Sequence, residues 1–148
     1  MRLVLDTNVV FSALLWRGTP YRLLEAIKGT SGIQLYSSAV LLEELEDVLT
    51  RPSASKRLAV IDKNAHAVLA DYAASIELVS PTHIPRVVLN DPDDDHVIAA
   101  ALAARADLIV SGDADLITLN SYEGIIIVNA AEANERIFRQ TPMGYEVN

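Results

Sequence analysis

Apolar residues along the chain fall into short unbroken runs, separated by longer segments in which they recur every three or four positions. Residues 2–5 (RLVL) form such a run and end at Asp6. Residues 33–37 (IQLYS), 76–80 (IELVS), 107–111 (DLIVS) and 124–129 (GIIIVN) have the same character. Runs of this length without clear alternation predict strands buried on both faces. The segments between them carry helix signals. Residues 9–16 are apolar and start one helix. Thr19-Pro20 supplies an N-cap and a proline at the first helical position for the next, which Gly29 closes. Ser38 is expected to cap a helix from Ala39 to about Thr50, stopped by Pro52. Residues 53–75 read as helical with Asp62 as an internal cap, and Pro81 and Pro85 mark a loop. Asp91-Pro92 opens a helix reaching about Arg105, and residues 130–139 form the last one. The whole predicts one α/β domain over residues 1–140, a central and mainly parallel sheet between two helical layers, followed by a frayed tail over residues 141–148.

Composition narrows the chemistry. In 148 residues, 51% are hydrophobic and only 5% aromatic, so the core must be aliphatic. No run approaches the ~18 apolar residues that span a bilayer. The opening MRLVLDTNVV meets Asp6 too early for a signal peptide, and there is no cysteine, which excludes disulfides and thiolate metal sites. A cytoplasmic protein is expected. The net charge of −8 argues against a general polyanion-binding surface, unless several acids share one pocket with divalent cations, which then attract phosphate.

The acids sit where such a pocket would form. In open α/β sheets, ligands bind beyond the carboxyl ends of the strands. Asp6 closes the first strand and Asp113 lies two residues beyond the strand ending at Ser111. In the helix beginning at Ala39, Leu41, Leu42, Leu45, Val48 and Leu49 make the apolar stripe. Glu43 and Asp47 fall opposite it, whereas Glu44 and Glu46 flank it, and periodicity leaves those two open. In the run Asp91-Pro92-Asp93-Asp94-Asp95, Asp91 reads as an N-cap and the acids of the first turn suit the helix dipole. Asp94, however, projects close to the centre of the inward face set by Val97, Ile98, Ala101 and Leu102. An inward carboxylate without a partner is costly, and no Lys or Arg lies between Arg86 and Arg105. A bound cation resolves that conflict, with Asp95 as the alternative ligand.

These motifs resemble the PIN-domain family from Met1 to about Asn129. LVLDTNVVFSALL (residues 3–15) is similar to its first signature, SSAVLLEELEDVL (residues 37–49) to its second, and DPDDDHVIAAALAARADLIVSGDADLI (residues 91–117) to its third and fourth. The nearest resemblance is to the toxin branch, similar to VapC toxins of type II toxin–antitoxin pairs. It implies a PIN-like three-layer fold and a metal-dependent endoribonuclease. Asp6, Glu44, Asp94 and Asp113 would be its catalytic metal ligands, with Asp115 a further ligand and Asn8 a supporting polar residue. The implied cofactor is Mg²⁺ or Mn²⁺, in one or two ions. The implied partners are an RNA substrate, a cognate antitoxin and a second copy of the chain, for which the apolar surface near residues 9–16 is a candidate.

Oxygen ligands suit these hard cations, and no nucleophilic side chain is needed. His66, His83 and His96 read as surface or loop residues. Arg17, Arg22, Arg51, Lys56 and Arg57 are candidates for phosphate contacts or plain solvated surface. A haloacid-dehalogenase-type phosphatase needs an aspartate where Asn8 stands, and both it and a receiver domain need a late lysine; none follows Lys63. The competing reading is a PIN-like module that binds RNA or protein without cutting.

Overall fold

The computed structural model describes residues 1–88 and 91–140, so the expected tail from Thr141 lies outside the described residues. Along the chain run β1 (Arg2–Leu5), α1 (Thr7–Leu15), α2 (Thr19–Lys28), β2 (Gln34–Ser38), α3 (Ala39–Leu49), α4 (Pro52–Val60), α5 (Ala65–Ser75) and β3 (Ile76–Val79). Then come α6 (Pro92–Ala104), β4 (Leu108–Val110), α7 (Ala114–Leu119), β5 (Ser121–Tyr122), β6 (Ile125–Val128) and α8 (Ala130–Gln140). The strands form one sheet in the order β3-β2-β1-β4-β6-β5. Every neighbouring pair is parallel except β5 with β6. This is the expected three-layer α/β architecture.

Successive strand residues point to opposite faces, and here each face meets its own core. Leu3, Leu5, Leu35, Leu108 and Val110 join Leu45, Leu49, Val68, Tyr72, Ala133 and Ile137 from α3, α5 and α8 on one side. Val4, Tyr36, Ile109 and Ile127 meet Val97, Ile98, Ala101 and Leu116 from α6 and α7 on the other. Burial on both sides is why the central strands β1 and β4 read as continuous apolar runs, whereas the edge strand β3, expected from its apolar run to be buried, is largely exposed. Burial also explains the alanines of α6: Ala99, Ala100, Ala101 and Ala104 are all buried, and small side chains let the helix lie close to the sheet. No described helix is long and apolar enough to cross a membrane.

Local differences from the sequence expectation have local causes. The N-cap of α2 is Gly18, not Thr19, whose hydroxyl instead accepts from Arg22. The predicted helix over residues 53–75 is two helices. Asp62 does not cap the second; it takes a left-handed φ of 56° after α4, and Asn64 caps α5 by accepting the Ala67 N–H at 2.8 Å. The apolar run over residues 9–16 is largely core, with Val9, Val10, Ala13 and Leu15 buried, so only Trp16 stands well exposed. Sequence reading missed α7 and β5.

The sheet order places the site. The chain builds β1, β2 and β3 outward in one direction, then returns through α6 to place β4 on the other side of β1. The carboxyl ends of β1 and β4 therefore flank the crevice at which the direction of winding reverses, where ligands bind in such sheets.

Candidate metal centre

Asp6 follows β1 directly and is 5% exposed. Its N–H donates to the Val110 carbonyl of β4. Ser111, immediately after β4 and fully buried, ties the two strand ends together. Its hydroxyl donates to Asp6 Oδ2 at 2.7 Å and accepts the Asp113 N–H at 2.9 Å. Asp113 in turn caps α7, accepting the Asp115 N–H at 2.8 Å. One serine thus sets the relative position of the acids from both strands.

The third element is the start of α6. Asp91 is its N-cap, with Oδ1 accepting the Asp93 N–H at 3.1 Å, and Pro92 takes the first helical position. Asp94 is the third helical residue, and N-cap and N3 side chains are neighbours on one side of a helix start. Asp94 is 3% exposed and points inward as its helical phase predicts. Carboxylate oxygens of Asp91, Asp94 and Asp113 lie within 4.8 Å of one another. Two oxygens on opposite sides of a Mg²⁺ ion at ~2.1 Å are about 4.2 Å apart, so the three groups span the space of one ion.

The electrostatics of this cluster suit a cation. Asp94 Oδ2 is buried with no hydrogen-bond partner, and none of the ion pairs among the described residues reaches the cluster. Burial, followed by the charges of Asp113, Asp91, Asp6 and Asp115, pushes the Asp94 carboxyl up to about 8. Asp6 is also raised, mainly by burial and further by Asp113 and Asp91, although the Ser111 hydrogen bond and the Thr7 N–H oppose the shift. A divalent cation would satisfy the orphaned oxygen and neutralise the repulsion, and a donor set made only of oxygens fits Mg²⁺ or Mn²⁺.

The other expected residues occupy different stations. Glu44 is half-buried and faces the same crevice: burial raises its pKa, Asp93, Asp6 and Asp91 add to that, and Thr7 counteracts it. The Thr7 hydroxyl is itself buried without a well-formed hydrogen bond. Glu46, the other flanking glutamate, is exposed. Asp115 is exposed and contributes to the field on Asp94 rather than to the three-carboxylate group. Asp95, the alternative to Asp94, has a different task. Buried to 2% exposure, its Oδ1 accepts the N–H groups of Val87 and Val88 at 2.9 and 2.8 Å, clamping the segment that leads into α6.

Sequence reading gave Asp91 only a capping role, yet it belongs to the three-carboxylate group. The capping geometry itself carried that signal, because the residue opposite an inward N3 aspartate is the N-cap. Among the basic residues, Arg51 pairs with Asp47. Arg57 donates to the Leu15 carbonyl and lies over Trp16, and Arg17 lies over Tyr21. His66 and His83 are exposed; His96 lines a separate, mainly apolar groove with Val40 and Ile84.

Comparison with known proteins identifies the fold and the family. A search of curated proteins gave no match. Among solved structures, a chain from the crystal structure of VapBC2 from Rickettsia felis, bound to a DNA fragment from their promoter, superposes with a TM-score of 0.62. It is 15% identical, and the match covers 87% of this chain and 98% of that one, which establishes a shared fold. The sequence profile described as the PIN domain matches residues 2–115, more than three quarters of the chain and all the acids discussed above. The chain belongs to the PIN-domain family.

Proposed function

We propose that this protein is a metal-dependent endoribonuclease, the toxin of a toxin–antitoxin pair, working on RNA in the cytoplasm with Mg²⁺ or Mn²⁺. The observation that carries the reading is the buried, unpartnered oxygen of Asp94 facing the carboxylates of Asp91 and Asp113. Without a cation this carboxyl would stay protonated up to about pH 8, whereas a cation there would favour its ionised, metal-binding form.

In this reading Asp6, Asp91, Asp94 and Asp113 would hold the cation, Glu44 would approach from the α3 side, and Asp115 would serve at the periphery. When bound, such ions supply Lewis-acid polarisation of a phosphoryl oxygen and a water of lowered pKa. The protein contributes the rest. Ser111 fixes Asp6 and Asp113 in register, Asp95 holds the chain at Val87 and Val88, and Asp94 would give up its proton on binding the cation. Glu44, at the open side of the crevice, is placed to orient a water against a phosphodiester. The likeness to a chain of a VapBC complex supports an antitoxin as the physiological partner, and a second copy of the chain is a further candidate.

The test is a labelled RNA incubated with purified protein under a titration of Mn²⁺ or Mg²⁺. Cleavage that requires the metal and stops with EDTA is expected. Binding to RNA that ignores the metal, with no cutting, would replace the enzyme by a binding module.

A further inference from the structure

Beside the acidic cluster lies a cavity of about 260 Å³. Asn8 and Ser12 from α1, Ser111, Gly112 and Asp113 after β4, and Asn129 after β6 line it; the remaining wall is aliphatic. Asn8 and Ser12 are four residues apart on one helix and so share a face. Among the described residues neither the Asn8 amide nor the Ser12 hydroxyl makes a side-chain hydrogen bond. Asn129 spends only its Oδ1, on the Glu132 N–H at 2.8 Å. The cavity therefore offers free neutral donors and acceptors against an apolar wall.

That chemistry selects its occupant. A phosphate calls for cations, but no Lys or Arg lines this cavity and the Asp113 carboxylate sits on its rim. A neutral, hydroxyl-bearing group with apolar faces fits instead, which is what the sugar and base of a nucleoside present. Asp113 belongs both to the cavity and to the three-carboxylate group. A phosphodiester held at the acids would carry one of its two nucleosides into this space.

We propose that the cavity is a nucleoside subsite, seating the nucleotide that flanks the cleaved phosphodiester, with Ser12 and Asn8 hydrogen-bonding its hydroxyls or base edge. The proposal rests on the ribonuclease reading and deepens it. Two substitutions probe it. Ser12→Ala removes a hydrogen-bonding group. Gly112→Leu adds bulk, and a Cβ there meets no heavy atom within 4 Å, so the backbone accepts it.

Steady-state cleavage of a short fluorescein-labelled single-stranded RNA of mixed sequence is measured together with Mn²⁺ affinity and melting temperature. Ser12→Ala is expected to raise KM about three- to tenfold, the value of one net hydrogen bond. Gly112→Leu should raise it by about tenfold or more, as steric exclusion of the nucleoside requires. Mn²⁺ affinity and melting temperature should stay at wild-type values, which separates a subsite from a structural role. Unchanged KM in both variants of an active enzyme overturns the subsite and leaves the ribonuclease standing. A wild-type protein that does not cut RNA overturns both.

Discussion

The orphaned Asp94 carboxylate should weaken the metal-free protein, and Asp94→Asn should strengthen it. The ordinary carboxyl value of 3.8 is displaced to about 8, chiefly by burial and then by Asp113 and Asp91. At about 1.4 kcal/mol per pKa unit, that corresponds to roughly 5–6 kcal/mol in an unscreened site. Asp91 and Asp113 are only half-buried, so water and counter-ions reach the rim of the cluster, and about 2 kcal/mol is a fair expectation after screening. The folded-state pKa lies above the unfolded one, so the folded protein binds the proton more tightly. The penalty is absent below about pH 4, grows as pH rises, and is complete above about pH 8. In EDTA at pH 8, the asparagine variant should therefore melt about 4–8 °C above wild type, and at pH 5 the gap should shrink to less than half. Adding Mn²⁺ should reverse the order, because only wild type gains binding free energy; at 100 times Kd that gain is about 2.7 kcal/mol. Circular dichroism melts in the three conditions suffice. A variant that melts below wild type in EDTA at pH 8, or a gap that does not depend on pH, would refute this account of Asp94.

The remaining predictions test the supports of the cluster. Asp6→Asn keeps an oxygen that can accept the Ser111 hydroxyl, so RNA cleavage should vanish while the metal-free protein stays at least as stable; a melting temperature lower by more than about 4 °C would make Asp6 a structural cap. Asp95→Ala leaves the Val87 and Val88 N–H groups without their acceptor and should cost about 2–4 kcal/mol in urea unfolding, whereas Asp95→Asn should cost less than half as much; equal losses would dismiss the clamp. Mn²⁺ affinity, followed by isothermal titration calorimetry, should climb with pH by up to about tenfold per unit until near pH 8, since Asp94 must shed its proton first. A flat profile between pH 6 and 8 would mean that the Asp94 proton does not compete with the metal.

Much of the fold was legible because the sheet is buried on both faces. That condition forces every residue of Leu3–Leu5 or Leu108–Val110 to be apolar, and such runs stand out. What escaped lies where a backbone conformation carries the information. The hairpin joining β5 to β6 turns on Glu123 and Gly124, with φ of 46° and 85°, a two-residue loop of the mirror-image kind that matches strand twist. Glycine signals such a turn but glutamate does not, since non-glycine residues seldom take positive φ. Asp62 misled for the same reason. An aspartate between helical segments looks like an N-cap, yet this one ends α4 in a left-handed conformation while Asn64 does the capping.

At the site, helical phase and strand position found the acids that burial governs and missed those that hydrogen bonding assigns. Asp94 stood out because it interrupts an inward apolar face. Nothing in that periodicity separates Asp94 from Asp95 by task, for both are nearly fully buried. The difference is a set of partners: two backbone N–H groups meet Asp95, and none meets the inner oxygen of Asp94. Those partners come from Val87 and Val88, in a segment whose path no residue pattern declares. The same logic covers Ser111, whose hydroxyl links Asp6 to Asp113 across two strands. Satisfied acids in this crevice build the frame and the unsatisfied one marks its purpose. A carboxyl that folding buries, surrounds with like charge and denies a donor stays protonated to about pH 8 unless a cation stands beside it, so the proposed metal would be favoured by the arrangement before any substrate arrives.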